Sequence, residues 1–492
     1  MNRKFLALVM VCIMLVGCLA SCADDTNQPQ VTTPQGTTDQ GEGDSLYDSN
    51  GYLKDSLPEL DFDNHEITIL TWNPSLDELC LVEEEGVGGL IEDALFRQLT
   101  NLEERLNVDV VIRQEPGKQD EREDILQLIE TSSNTNTPFD LVGTYSGTGA
   151  IGAIRGLFHN LNNVDYIDFD KPWWPEDLKN SIDVNGNMYF ASGDISPNLI
   201  YGLFAILVNN DMLADLYQDT ETIYQLATDG EWTLEQLFNY SRNVYSDLNM
   251  GNKDDSDRFG LTISNAVTLD SFLQGCGIDI TTKNSSGKIV MSSTFSSQQC
   301  DDLVSQLAAF LKTDDCIISK DYAGIFPEGR ALFLNGKLEV CITKLTNATF
   351  EYGVLPMPKF NTDQKDYVTT MNHNFSVYSI PKALTTDAAN RAGAVMEALA
   401  SSGYRTVAPA IFEMAFKLKY SANPTVSAMY QIVRDSVKFD MGRLYRLNFN
   451  SSFIPDTLFR NAVQGDQQWL ATISSLKGMW NKTLTEIYDK LK

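Results

Sequence analysis

An α/β fold with a mostly parallel sheet is predicted by three features of this 492-residue chain. Apolar runs of strand length alternate with stretches of helical periodicity, 43% of the residues are hydrophobic, and about 430 residues beyond position 61 suffice for two compact lobes. The alternation begins at Glu66-Ile-Thr-Ile-Leu-Thr-Trp72, which reads as a buried strand. Leu90, Ile91, Ala94, Leu95, Leu99, Leu102 and Leu106 recur at helical spacing and predict a helix over 90–106. Asp109-Val-Val-Ile112 is the next strand, Ile125, Leu126, Leu128 and Ile129 mark a second amphipathic helix, and Phe139 to Tyr145 is the third strand. Ligands of such sheets bind beyond the carboxyl ends of the strands, where Trp72 and Tyr145 stand.

Ahead of this body, Asn2-Arg3-Lys4 precedes an apolar run from Phe5 to Val16. That pattern is an export signal, because a membrane-spanning helix needs roughly 20 apolar residues. Leu19-Ala20-Ser21-Cys22 resembles the lipobox of bacterial lipoproteins, which implies removal of residues 1–21 and acylation of Cys22, with Cys18 of Leu15-Val16-Gly17-Cys18 as the alternative. Residues 22–61 are rich in Thr, Gln, Gly, Asp and Asn and predict a flexible polar linker. The formal charge is −30, and −32 once Arg3 and Lys4 are removed, which argues against nucleic acid and anionic headgroups as partners.

Two local patterns invite a chemical reading. Gly147-Thr-Gly149-Ala-Ile-Gly152 is a G-x-G-x-x-G between a strand and a helix, with Asp168 and Asp170 at the distance of a ribose-binding acid. The dinucleotide fingerprint follows the first strand of its unit, however, and this one follows the third, so a turn opening a helix is preferred. Cys80, Cys276, Cys300, Cys316 and Cys341 are an odd number without C-x-x-C spacing, which predicts neither a disulfide framework nor a zinc site.

From Leu161-Asn-Asn-Val-Asp-Tyr-Ile-Asp168-Phe-Asp-Lys-Pro-Trp173-Trp174-Pro175 onward the chain carries an ordered series of segments. They are Val184 to Phe190, Phe204-Ala-Ile-Leu-Val-Asn-Asn-Asp-Met-Leu213, Gly230-Glu-Trp232-Thr-Leu-Glu-Gln-Leu237, Phe326 to Phe333, Tyr352-Gly-Val-Leu-Pro-Met-Pro-Lys359 and Ser379-Ile-Pro-Lys382. In that order they resemble the family 1 extracellular solute-binding proteins of carbohydrate ABC importers, in particular the large lipoproteins of Gram-positive anaerobes. The resemblance implies a type II periplasmic-binding-protein fold, with lobe one at 62–202 and 345–380, lobe two at 203–344 and 381–492, and strands crossing two or three times. It also implies a monomer, lipid-anchored on the extracellular face of the cell membrane, that closes on a carbohydrate and presents it to the permease subunits of an ABC transporter, with no catalysis and no required cofactor.

Sugars stack an apolar face on an aromatic ring while polar groups meet the hydroxyl rim. Trp72, Tyr145, Trp173, Trp174 and Tyr201 lie in segments matching cleft-lining regions of the family, and Asp194, Asn198, Lys344, Asn372 and Asn374 are the polar candidates. Trp232 precedes a helix capped by Thr233 and reads as a packing residue. Asp247-Leu-Asn249-Met-Gly-Asn-Lys-Asp-Asp255-Ser-Asp257-Arg258 resembles a calcium loop that relatives carry, with Gly251 where an acid is expected and Arg258 where the closing carboxylate belongs. A weak calcium site at Asp247, Asn249, Asp255 and Asp257 and a solvated acidic loop are its two readings. The rival functions are an exported glycan hydrolase, which needs two carboxylates about 5 to 10 Å apart, and a binding lipoprotein serving a sensor. The acidic body would also tolerate a cationic solute such as a polyamine.

Overall fold

The strands follow the alternation closely: β1 (His65–Trp72), β2 (Val108–Glu115), β3 (Leu141–Tyr145), β4 (Phe204–Asn209), β5 (Phe259–Ile263), β6 (Thr281–Lys283), β7 (Ile289–Met291), β8 (Cys316–Ile318), β9 (Ala331–Lys337), β10 (Tyr352–Leu355) and β11 (Ser376–Ser379). The structure is a computed structural model. It describes residues 46–492 apart from 75, 80–83, 136–137, 265, 321, 417–423 and 466–467. The expected signal peptide, Cys18, Cys22 and Cys80 lie outside the described residues.

Among the described residues the strands form two main sheets and a hairpin. The first runs β11-β3-β1-β2, with β1, β2 and β3 parallel and β11 antiparallel. The second runs β10-β4-β9-β5-β8, with β5, β8 and β9 parallel and β4 and β10 running against their neighbours. Every residue of β3, β4 and β5 is buried, as expected of continuous apolar runs with both faces covered. The edge strand β2 instead alternates, with Asp109, Arg113 and Glu115 along an otherwise unpaired margin.

The predicted helix spans Leu90–Leu106 and buries Ile91, Ala94, Leu95, Leu102 and Leu106 against the first sheet. Its first turn is capped by the Glu92 carboxylate, which accepts the Gly89 N–H at 3.0 Å, and it ends at Asn107 in the left-handed region, φ 49°. Thr233 caps helix Leu234–Ser241, its hydroxyl accepting the Gln236 N–H at 3.4 Å. The glycines at 147, 149 and 152 lie within helix Ser146–Ile154, and their absent side chains let it close onto its neighbours. A Cβ on Gly149 would stand 2.2 Å from Val377, and one on Gly152 would stand 2.6 Å from Phe158. These glycines permit close packing. Cys276, Cys300, Cys316 and Cys341 are buried thiols outside any disulfide.

Three segments pass side by side between the sheets. The Phe204 N–H donates to Thr370 O at 2.9 Å, Asn372 N–H to Gly202 O at 2.8 Å, Thr369 N–H to Ser436 O at 2.8 Å and Lys438 N–H to Thr369 O at 2.9 Å. The expected return segment 345–380 is divided by this path: β10 pairs with β4 in the second sheet, and only β11 joins the first. Helix Thr386–Arg405, expected in lobe two, packs against helix Leu90–Leu106 of lobe one. The last part of the expected linker also belongs to the body. Arg105 Nη2 donates to Leu57 O at 2.9 Å, Asp55 stands 3.7 Å from both Arg105 and Arg405, and Tyr52 packs edge-on against Tyr404. No helix among the described residues is long and apolar enough to cross a membrane.

Candidate ligand cleft

The end of β3, the start of β4, the end of β9 and the crossing segment 372–374 meet at a cavity of about 250 Å³. Tyr145 and Phe204 supply aromatic walls, Gln119, Thr268, Asn372 and Asn374 supply amides and a hydroxyl, and Lys337, His373, Arg446 and Arg460 complete the lining. A narrower recess lined by Leu76, Asn198, Tyr201, Gly202 and Glu339 shares Lys337, Asn372 and Asn374 with it. Both sheets thus present strand ends to one polar space, the position at which α/β sheets bind ligands.

The walls are held from behind. Ser146, which opens the helix after β3, donates its hydroxyl to His373 O at 2.8 Å and its N–H to Phe375 O at 2.9 Å. The Tyr145 hydroxyl donates to Gln119 Oε1 at 3.3 Å, and Arg446 Nη1 reaches the same oxygen at 3.2 Å. Burial pushes the Tyr145 phenol up to about 12, so it stays protonated and serves as a donor. Behind the recess, Asn198 Nδ2 donates to Glu78 Oε2 at 2.6 Å, and the Tyr378 hydroxyl donates to Glu78 Oε1 at 3.0 Å. Glu78 is fully buried, and burial raises its carboxyl above the usual range.

Behind the cavity lies a compact ionic network. His373 Nε2 is 2.9 Å from Asp456 Oδ2, Arg446 Nε is 3.2 Å from the same oxygen, Arg460 Nε is 3.3 Å from Asp270 Oδ1 and Arg443 Nη1 is 3.9 Å from Asp270 Oδ2. Burial and the adjacent Arg443 lower His373 to about 3, so the imidazole is neutral and its Nε2–H donates to Asp456. Burial works against charge on Asp456, but the His373 bond and Arg446 and Arg443 outweigh it and hold the carboxyl well below its usual range. Burial, together with the Asp456 charge, pushes Asp270 up to about 8. Asp270, His373 and Asp456 form the one group of three ligand-type side chains converging within 4.8 Å among the described residues. Three arginines already compensate them, so the arrangement suits an ion-pair network and not a cation. The two carboxyls differ in protonation, as an acid/base pair does, but neither lines the cavity, whose recess offers Glu339 as its one acid.

Of the expected site residues, Tyr145, Asn198, Tyr201, Asn372 and Asn374 line the cavity or its recess. Trp72 does not. It is 2% exposed, its Nε1–H donates to Ser376 Oγ at 2.7 Å, and it meets Tyr145 edge-on with centroids 5.7 Å apart. Gly117 lets the following turn close over it, since a Cβ there would lie 2.7 Å from Trp72 Cβ. Trp173 and Trp174 are also buried, both indoles donating to Glu397 at 3.1 Å, and Asp194 is ion-paired with Arg434. These three border a separate cavity of about 710 Å³ against helices Val407–Phe416 and Pro424–Asp435, which among the described residues no strand's carboxyl end lines. Lys344 is exposed, follows helix Leu338–Thr343 and borders neither space. Sequence reasoning missed Gln119, Lys337, His373, Arg446 and Arg460. The position of Lys337 at the end of a strand was the available signal for one of them.

In the acidic loop the expected ligand oxygens meet donors of this chain. Asp247 Oδ1 accepts the N–H groups of Asn249 and Met250, the two oxygens of buried Asp257 accept those of Leu248 and Asp254, and Asp255 is bonded by the Ser319 hydroxyl.

No family model and no curated protein sequence matches the chain. Solved structures do. An ABC substrate-binding protein of Listeria monocytogenes in complex with cycloalternan matches with a TM-score of 0.54 at 15% identity, over 86% of this chain and 100% of that one. The cyclic α-maltosyl-1,6-maltose binding protein of Arthrobacter globiformis gives 0.53 at 13%, over 85% and 98%. The GacH receptor of Streptomyces glaucescens, solved unliganded and with acarbose, gives 0.52 at 12%, over 86% and 99%. The neighbours are binding proteins, and at these identities the likeness is one of fold: the chain has the two-lobed periplasmic-binding-protein fold.

Proposed function

We propose that this chain is an extracellular solute-binding lipoprotein, acylated at Cys22, which captures a saccharide between its lobes and delivers it to an ABC permease. One observation carries the reading: a polar, aromatic-walled cavity lies where strand ends of both sheets meet two of the crossing segments, at Phe204 and at Asn372 to Asn374. Tyr145 and Phe204 are placed for the apolar face of a sugar ring, and Gln119, Asn372 and Asn374 for its hydroxyls. A solute touching both walls favours closure by its differential affinity for the closed form. The oligosaccharides named with the structural neighbours support a carbohydrate solute here.

The test is a fluorescence or thermal-shift screen against mono- and oligosaccharides, followed by scattering with and without the best hit. A saturable hit, a smaller radius of gyration and recovery of the sugar intact are expected. Recovery of cleaved sugar would assign the cleft to a hydrolase. A hit without compaction would remove hinge closure and leave binding.

A further inference from the structure

The cleft has the opposite charge character to the chain that encloses it. A chain of formal charge −30 lines this 250 Å³ cavity with Lys337, Arg446 and Arg460 and, among the described residues, with no carboxylate. Their counter-charges stand behind the wall or in the recess: Asp456 beside Arg446, Asp270 beside Arg460 and Arg443, and Glu339 beside Lys337. Four cations therefore share three carboxyls, and burial keeps Asp270 largely protonated near neutral pH. The surplus is positive. Among the described residues, Arg446 donates from Nε and Nη1 to Asp456 and Gln119, and Arg460 donates from Nη2 to Thr457 while its Nε is ion-paired with Asp270 without a hydrogen bond, so one terminal nitrogen of each fork donates to no protein acceptor. Arg443 Nη1, on a side chain 5% exposed, likewise makes no hydrogen bond. Of these nitrogens only Arg443 Nη1 is buried, where a missing partner is costly; those of Arg446 and Arg460 are open to solvent and available to a ligand.

We propose that the solute of this cleft is an acidic saccharide, its anionic group set against Arg446, Arg460 and Lys337 and its ring against Tyr145 and Phe204. The inference rests on the saccharide-binding reading above and adds the class of sugar. A guanidinium fork fits a carboxylate, sulfate or phosphate, and bonds between charged partners are the stronger class. No lining carboxylate repels the anion. A neutral sugar's hydroxyls accept from the same donors but leave the positive charge of the lining uncompensated, which is the basis of discrimination.

The full chain, purified in a non-ionic detergent, is titrated calorimetrically with matched probes: galacturonate and trigalacturonate, their neutral methyl esters, glucose 6-phosphate, glucose 6-sulfate, glucose, maltotriose, and free acetate and phosphate. At least one acidic sugar should bind 10-fold or more tightly than its neutral counterpart, with an affinity that falls as salt is raised. The three acidic arms identify which anionic group is preferred. Lys337→Gln should weaken that sugar about fivefold or more and the neutral one by a clearly smaller factor, and Arg460→Met should act in the same direction. Neutral sugars binding as tightly as acidic ones would overturn this inference and leave the saccharide reading standing. Free acetate or phosphate binding as tightly as the acidic sugars would overturn it by reducing the site to an anion pocket. Binding of none of the sugars, acidic or neutral, would reject the saccharide reading and the inference with it.

Discussion

Replacing Trp72 by Phe separates a ligand platform from a core residue. The substitution removes the Nε1–H donor that reaches Ser376 Oγ at 2.7 Å, a buried bond worth about 0.5–1.5 kcal/mol. The smaller ring also leaves a void, worth roughly a further 1 kcal/mol at about 24 cal/mol per Å³. Part of the edge contact with Tyr145 survives, because a phenyl ring still presents an edge at that position. The expected loss is therefore about 2 kcal/mol of stability, rising to about 3–5 kcal/mol for Trp72→Ala, which empties the site. Urea unfolding followed by circular dichroism measures the loss. Calorimetry with the best saccharide measures binding, which should change less than about threefold, since Trp72 reaches the cleft only through Tyr145. An unfolding midpoint like that of the wild type, with binding weakened 10-fold or more, would place Trp72 on the ligand and refute its assignment to the core.

A buried carboxyl and the anchor provide two further tests. Burial pushes Glu397, which accepts both indole N–H groups of Trp173 and Trp174, up from 4.5 to about 7. The unfolded chain loses this proton first, so between those values the group's contribution to stability falls as pH rises, by up to about 1.4 kcal/mol per pH unit. Glu397→Gln removes that titration, and the variant should gain on the wild type between pH 5 and 8; parallel stability curves would reject the perturbed carboxyl. Cys22→Ala should release the protein from the membrane fraction, whereas release by Cys18→Ala alone would move the acylation site four residues upstream.

Periodicity was enough to place helix Leu90–Leu106 to the residue and to position β1, β3 and the Thr233 cap, because each is governed by neighbours within one turn or one strand. The G-x-G-x-x-G was legible as the opening of a helix, but the reason for its glycines lay in Val377 and Phe158, which only the fold brings against them. The choice among strand-end aromatics was not legible. Trp72 and Tyr145 end adjacent parallel strands with equal claim, and the difference is made by β11, whose Ser376 lies opposite Tyr145 in register and 304 residues from its indole partner. The same holds for Trp173 and Trp174, captured by Glu397 from a helix more than two hundred residues away. Composition set the net charge of the whole chain and pointed, if anywhere, toward a cationic solute. The sign of the cleft was decided by the helical turns that follow the third crossing segment, which bring Arg446 and Arg460 to a cavity whose other walls, Lys337 among them, come from residues 119–374. A charge count is a sum over the chain, whereas a ligand meets only the few side chains that tertiary structure turns toward it.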